Sequence, residues 1–87
     1  MKTRTSAQSI RLLRGLRSAL TTEIVDRISA HEGTQAEFAA EIGISRPQLS
    51  RLKQGETDSF SLDWLVEVAL RTGLTVRVAV ARPYRKK

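Results

Sequence analysis

Apolar residues recur at spacings of three and four between Ser6 and His31: Ile10, Leu13, Leu16 or Arg17, Leu20, Ile24 and Ile28. Such spacing lays an apolar stripe along one side of a helix. Gly15 interrupts it, and glycine inside a helix costs about 1 kcal/mol against alanine. The segment therefore reads as one helix or as two, about 6–15 and 18–31, with Gly33 as the stop. Thr34 opens the next helix. Thr34 and Glu37 have capping-box spacing, in which each side chain satisfies the other's free backbone N–H. Phe38, Ala39 and Ile42 face inward and Gly43 ends the helix. Ser45 and Gln48 repeat the capping box, and Pro47 falls in the first turn, where a missing N–H does no harm. Leu49 and Leu52 point inward, and Gly55 closes this third helix. The run from Glu56 to Ser59 is polar and turn-like. Ser61 caps a fourth helix with Leu62, Leu65, Val66, Ala69 and Leu70 as its expected buried face and Gly73 as its end. The period then changes. Leu74, Val76, Val78 and Val80 alternate with Thr75, Arg77, Ala79 and Ala81, a period-two pattern that predicts a strand over 74–82, stopped by Pro83.

Two helices joined by a short turn cross tightly only with a small residue in the first, a residue tolerant of positive φ in the turn, and an apolar anchor in the second. Ala39, Gly43 and Leu49 supply these. Phe38, Ile42, Ile44 and Leu52 complete the local core, so residues Thr34 to Gly55 predict a helix-turn-helix. A lone strand leaves its N–H and C=O groups unpaired. The expected remedy is antiparallel pairing with the same strand of a second copy, through Leu74, Val76, Val78 and Val80; the alternative is pairing with another protein.

Charge sharpens the picture. The 87 residues carry a net +6, unevenly spread. Residues 1–20 hold Lys2, Arg4, Arg11, Arg14 and Arg17 with no acid. Residues 77–87 hold Arg77, Arg82, Arg85, Lys86 and Lys87, again with none. The stretch between holds five basic and nine acidic residues. Two basic ends suit a polyanion, because each neutralised phosphate releases counterions. Lys2 and Arg4, on a flexible arm over 1–5, are expected on phosphate. There is no cysteine, and His31 is the only histidine, which excludes disulfides, thiolate chemistry and a multi-histidine metal site. No acid pair, nucleophile–base pair or phosphate-cradling glycine loop points to an enzyme, and Glu37 and Glu41 read as a solvated face. No cofactor or metal is expected. No apolar run is long enough to cross a membrane, and the basic N-terminus lacks the apolar core of a signal peptide, so the expected location is the bacterial cytoplasm.

The stretch TQAEFAAEIGISRPQLSRLKQGE resembles the helix-turn-helix of the lambda-repressor-like, Xre-type regulators. The run FSLDWLVEVALRTGLTVRVAVARP resembles a subgroup of short Xre-type proteins in which a last helix is followed by one β-strand. Many of these are antitoxins of type II toxin–antitoxin pairs or small plasmid and phage regulators. The resemblance implies a mainly α fold, a four- to five-helix lambda-repressor-like domain over 6–73, with a strand over 74–82 paired across a dimer and a basic tail over 83–87. It implies that the second helix lies in the major groove of double-stranded DNA. Arg46, Pro47 and Arg51 would then face the bases, with Gln48 and Ser50 beside them, and Gln35, Ser45, Lys53, Gln54 and Thr57 would meet phosphate. Arginine suits guanine O6 and N7, glutamine suits adenine, and a thymine methyl packs on proline. Proline at a base-facing position departs from the glutamine or serine often found there. Each residue has a plainer role beside this one. Arg46 and Arg51 fit a solvated surface, Gln48 a cap only, Lys53 and His31 a helix C-terminus, and Trp64 the core or a dimer contact. The functional expectation is a sequence-specific repressor acting as a homodimer on a palindromic operator. The alternatives are an antitoxin that also controls its own operon, and a non-specific architectural or RNA-binding protein.

Overall fold

The computed structural model describes residues 6–82. Lys2 and Arg4 of the basic arm, and the tail from Pro83 onward, lie outside them. Four α-helices and one short 3₁₀ turn follow in order: α1 over Ala7–Ala30, α2 over Gln35–Ile42, α3 over Arg46–Lys53, a 3₁₀ turn over Thr57–Ser59, and α4 over Leu62–Arg71.

The helix boundaries follow from side chains that satisfy the free N–H groups of a first turn. Ser6 Oγ accepts from the Ser9 N–H at 3.0 Å, and Ser61 Oγ accepts from the Trp64 N–H at 3.0 Å. α1 is one unbroken helix of 24 residues; Gly15 lowers its propensity without breaking it. It ends at Ala30, short of the expected stop at Gly33. His31 leaves in extended conformation, its N–H bonded back to Ile28 O at 3.3 Å, and its ring stacks on Phe38 with centroids 4.3 Å apart.

The core is small and continuous. Ile24 and Ile28 of α1, Ala39 and Ile42 of α2, Ile44 of the turn, Leu49 and Leu52 of α3, Phe60, and Leu65, Val68 and Ala69 of α4 are buried together. Trp64 packs at its edge, stacked on Phe60 at 4.3 Å. Two arginines tie helix ends to this core. Arg27 of α1 donates to Thr72 O at the end of α4 through Nε and Nη2, at 3.3 and 2.9 Å, and Arg71 of α4 donates to Ile42 O at the end of α2 at 3.2 Å. Each places a cation on carbonyls left free by a helix C-terminus. These two cations serve the fold.

Two expectations need correction. No strand exists among the described residues: 74–82 carry no ladder, so the strand paired across a dimer through Leu74, Val76, Val78 and Val80 is overturned, and with it the likeness to short regulators that end in one. A period-two pattern assigns side chains to two faces but supplies no backbone partner. Leu74 and Val76 instead pack against the helical core, while Val78 and Val80 are 84% and 92% exposed. On α4, the buried face comprises Leu65, Val68 and Ala69; Leu62 and Val66 are half-buried, and Leu70 is 54% exposed. The helix is apolar around more than half its circumference, so its spacing is compatible with either stripe.

Candidate nucleic-acid interface

The turn between α2 and α3 decides how α3 is presented. Gly43 adopts φ 76°, ψ 32°, a left-handed conformation that β-carbon sterics disfavour. The Gly43 N–H bonds to Ala40 O at 3.2 Å and the Ile44 N–H to Ala39 O at 2.9 Å, the paired contacts that close a helix through a left-handed residue. The chain reverses there, buries Ile44, and reaches Ser45, the N-cap of α3, one residue later.

Both capping boxes form as the spacing predicts. The Thr34 N–H donates to Glu37 Oε1 at 2.9 Å and the Glu37 N–H donates to Thr34 Oγ1 at 3.0 Å. The Ser45 N–H donates to Gln48 Oε1 at 2.8 Å and the Gln48 N–H donates to Ser45 Oγ at 3.2 Å. The bond from the Thr34 backbone N–H, then that of its hydroxyl, and lastly the nearby His31 hold the Glu37 carboxyl below its ordinary range. A carboxyl whose pKa is lowered by folding stabilises the fold above its unfolded pKa, and that contribution disappears as pH falls through the folded value. Acid titration of helicity is expected to show this loss below the ordinary carboxylate range. Glu37→Gln, which keeps the cap but does not ionise, is expected to flatten that part of the curve; an unchanged acid limb would refute the assignment.

α3 buries Leu49 and Leu52 and exposes Arg46, Pro47, Ser50, Arg51 and Lys53, with Gln48 half-buried. At about 100° per residue, the direction opposite the two leucines is occupied by Pro47, with Ser50 and Arg51 on either side. Arg46 and Arg51 are five residues apart and so diverge by about 140° around the axis, flanking this crest. Arg46 lies on the α2 side, where it shares a surface depression of about 440 Å³ with Ala36, Leu49, Ser50, Lys53 and Gln54. Lys53 Nζ donates to Gln35 Oε1, joining the last turn of α3 to the first residue of α2. Gln54 Nε2 donates to Ser50 Oγ at 3.3 Å. Thr57 opens the 3₁₀ turn beyond. Ser45 is exposed but its hydroxyl is engaged in the cap, as is the carbonyl oxygen of Gln48. Gln48 thus has only its amide N–H₂ free.

Within the helix-turn-helix, positive charge is concentrated on α3. α3 carries Arg46, Arg51 and Lys53 and no acid, whereas α2 carries Glu37 and Glu41 and no base. The middle of the chain is acidic overall, yet this one helix is strongly cationic on its solvent side. Ala36 was not singled out from the sequence. Its only signal is a small residue immediately after Gln35, which leaves room for Arg46 and Lys53 in the depression.

A sequence model of the family "Helix-turn-helix domain" matches residues 5–81. The chain belongs to this helix-turn-helix family. Its domains are non-catalytic DNA-binding modules, so the helix-turn-helix chain is a DNA-binding regulatory domain and not an enzyme. No curated protein and no solved structure matches it significantly. Among the described residues no helix is long and apolar enough to cross a membrane.

Proposed function

We propose that the chain is a sequence-specific, double-stranded DNA-binding transcriptional repressor that acts as a homodimer on a palindromic operator, with α3 in the major groove. The observation that carries this reading is the exposed, acid-free cationic side of α3, set on a capped helix that follows a tight left-handed turn. Arg51 and Arg46 reach base edges from either side of the Pro47 crest, and each guanidinium can donate two hydrogen bonds to guanine. Pro47 and Ser50 lie closest to the floor of the groove, where a pyrrolidine ring packs on a thymine methyl. The linked Lys53 and Gln35, together with Ser45, Gln54 and Thr57, meet phosphate and fix register.

The experiment is selection of duplexes from a random pool, followed by titration of the chosen sequence at several salt concentrations. A two-fold sequence is expected to emerge, with half-sites about one helical turn apart. Its log affinity is expected to fall linearly with log salt, at a slope of roughly 0.9 for each phosphate neutralised. Equal affinity for selected and random duplex would refute sequence-specific readout.

A further inference from the structure

Among the described residues, none buries the first half of α1. The buried residues of α1 are Thr21, Ile24 and Ile28, all in its second half. Before them Leu12 is 62% and Leu16 43% exposed. With Ala19, and with Leu20, which also packs against the core, they form a stripe beside the one that enters it. That stripe runs into a groove of about 380 Å³ walled by Leu16, Ala19 and Leu20 of α1, Leu62 and Val66 of α4, and Val76. The groove is therefore lined by the second apolar stripes of both α1 and α4. Projecting helix and open groove belong to one continuous surface.

Two observations specify what covers it. First, the apolar set Leu12, Leu13, Leu16, Ala19 and Leu20 maps onto itself under reversal about Leu16: 12 exchanges with 20 and 13 with 19. Two such helices packed antiparallel, crossing at Leu16, put apolar residues opposite apolar residues over positions 12–20, the self-complementarity that a two-fold interface requires. Second, among the described residues nothing approaches Gly15: a β-carbon there would meet nothing within 4 Å, yet glycine costs about 1 kcal/mol in a helix interior. About 100° round the helix from Leu16, it leaves the flank of the stripe open to close approach by another chain.

We infer that a second copy of this chain covers the surface. The two α1 helices pack antiparallel at Leu16, and each projecting half lies along the other's groove. This names the surface behind the two-fold arrangement proposed above and rests on that reading. It differs from pairing through the C-terminal segment, because the contact is helical and centred on residues 12–20.

The chain has no cysteine, so a single engineered one reports the axis. Leu16→Cys is expected to form an intermolecular disulfide under mild oxidation, since residues at a two-fold axis come within the ~4.4–6.8 Å Cα separation a disulfide needs. Glu41→Cys, exposed on α2 and away from the groove, is expected to remain a single chain. Light scattering should give twice the chain mass for the wild type and the single-chain mass for Leu12→Glu with Leu16→Glu, with helicity retained. A monomeric wild type, a Leu16→Cys variant that stays monomeric, or equal cross-linking of both cysteine variants would each overturn the inference. Its failure is separable from that of the DNA reading. A monomer that still prefers a half-site sequence removes only the interface, and a dimer with no sequence preference removes only the DNA reading.

Discussion

Replacing Arg46 and Arg51 together by alanine is expected to remove most of the preference for a selected duplex over random DNA while leaving the fold unchanged. Each bidentate contact to guanine contributes about 1–3 kcal/mol of discrimination. The double variant should therefore lose roughly 30-fold to 2 × 10⁴-fold in specific affinity for each half-site. Both side chains are exposed on α3, so thermal denaturation should hardly change. Lys53→Ala makes the useful contrast. Its expected effect is a similar loss on every sequence and a salt slope smaller by roughly 1. Fluorescence anisotropy with selected and random duplexes separates the two patterns. If the double arginine variant lost affinity equally for both duplexes, α3 would be contacting backbone alone.

Leu52→Ala should have the largest effect on stability among changes in the helix-turn-helix. Leu52 is 1% exposed and lies among the α1, α2 and α4 side chains of the core. Truncating a buried leucine costs about 2–5 kcal/mol, depending on how far the site collapses. A domain of this size has a total stability on the order of 4–13 kcal/mol. The melting temperature should fall by roughly 8–40 °C, read by far-ultraviolet circular dichroism. DNA affinity should fall only by the unfolded fraction, unlike in the arginine variants. A loss below about 1 kcal/mol would mean that α3 is not held by this core.

What the sequence disclosed and what it withheld divide along a physical line. Both capping boxes, the left-handed turn at Gly43 and the proline in the first turn of α3 are fixed by residues within a few positions of one another, and all are as the spacing predicts. Partners at long range were less legible. Alternation over 74–82 named two faces but could not supply a second strand, and the segment found burial for Leu74 and Val76 against helices instead. Periodicity in α4 permitted two stripes, and only the tertiary packing selects Leu65, Val68 and Ala69 for the interior. The role of Arg27 and Arg71 was hidden for the same reason, since their acceptors lie 45 and 29 residues away. Within the candidate interface the exposed set on α3 was readable, but the divergence of Arg46 from Arg51 and the depression shared with Ala36 required the helix to be placed.

The bond from the Ser45 N–H to Gln48 Oε1 constrains how this protein can diversify. A Gln48 that turned to pair with adenine would abandon a backbone donor at the start of α3, so any gain in base contact would be offset by fraying at that end. Positions 47, 50 and 51 carry no such tether to the helix start. Under the proposed reading, relatives that bind other DNA sequences should accumulate their changes there and keep glutamine or glutamate at 48, so that the target drifts while the scaffold presenting it stays fixed.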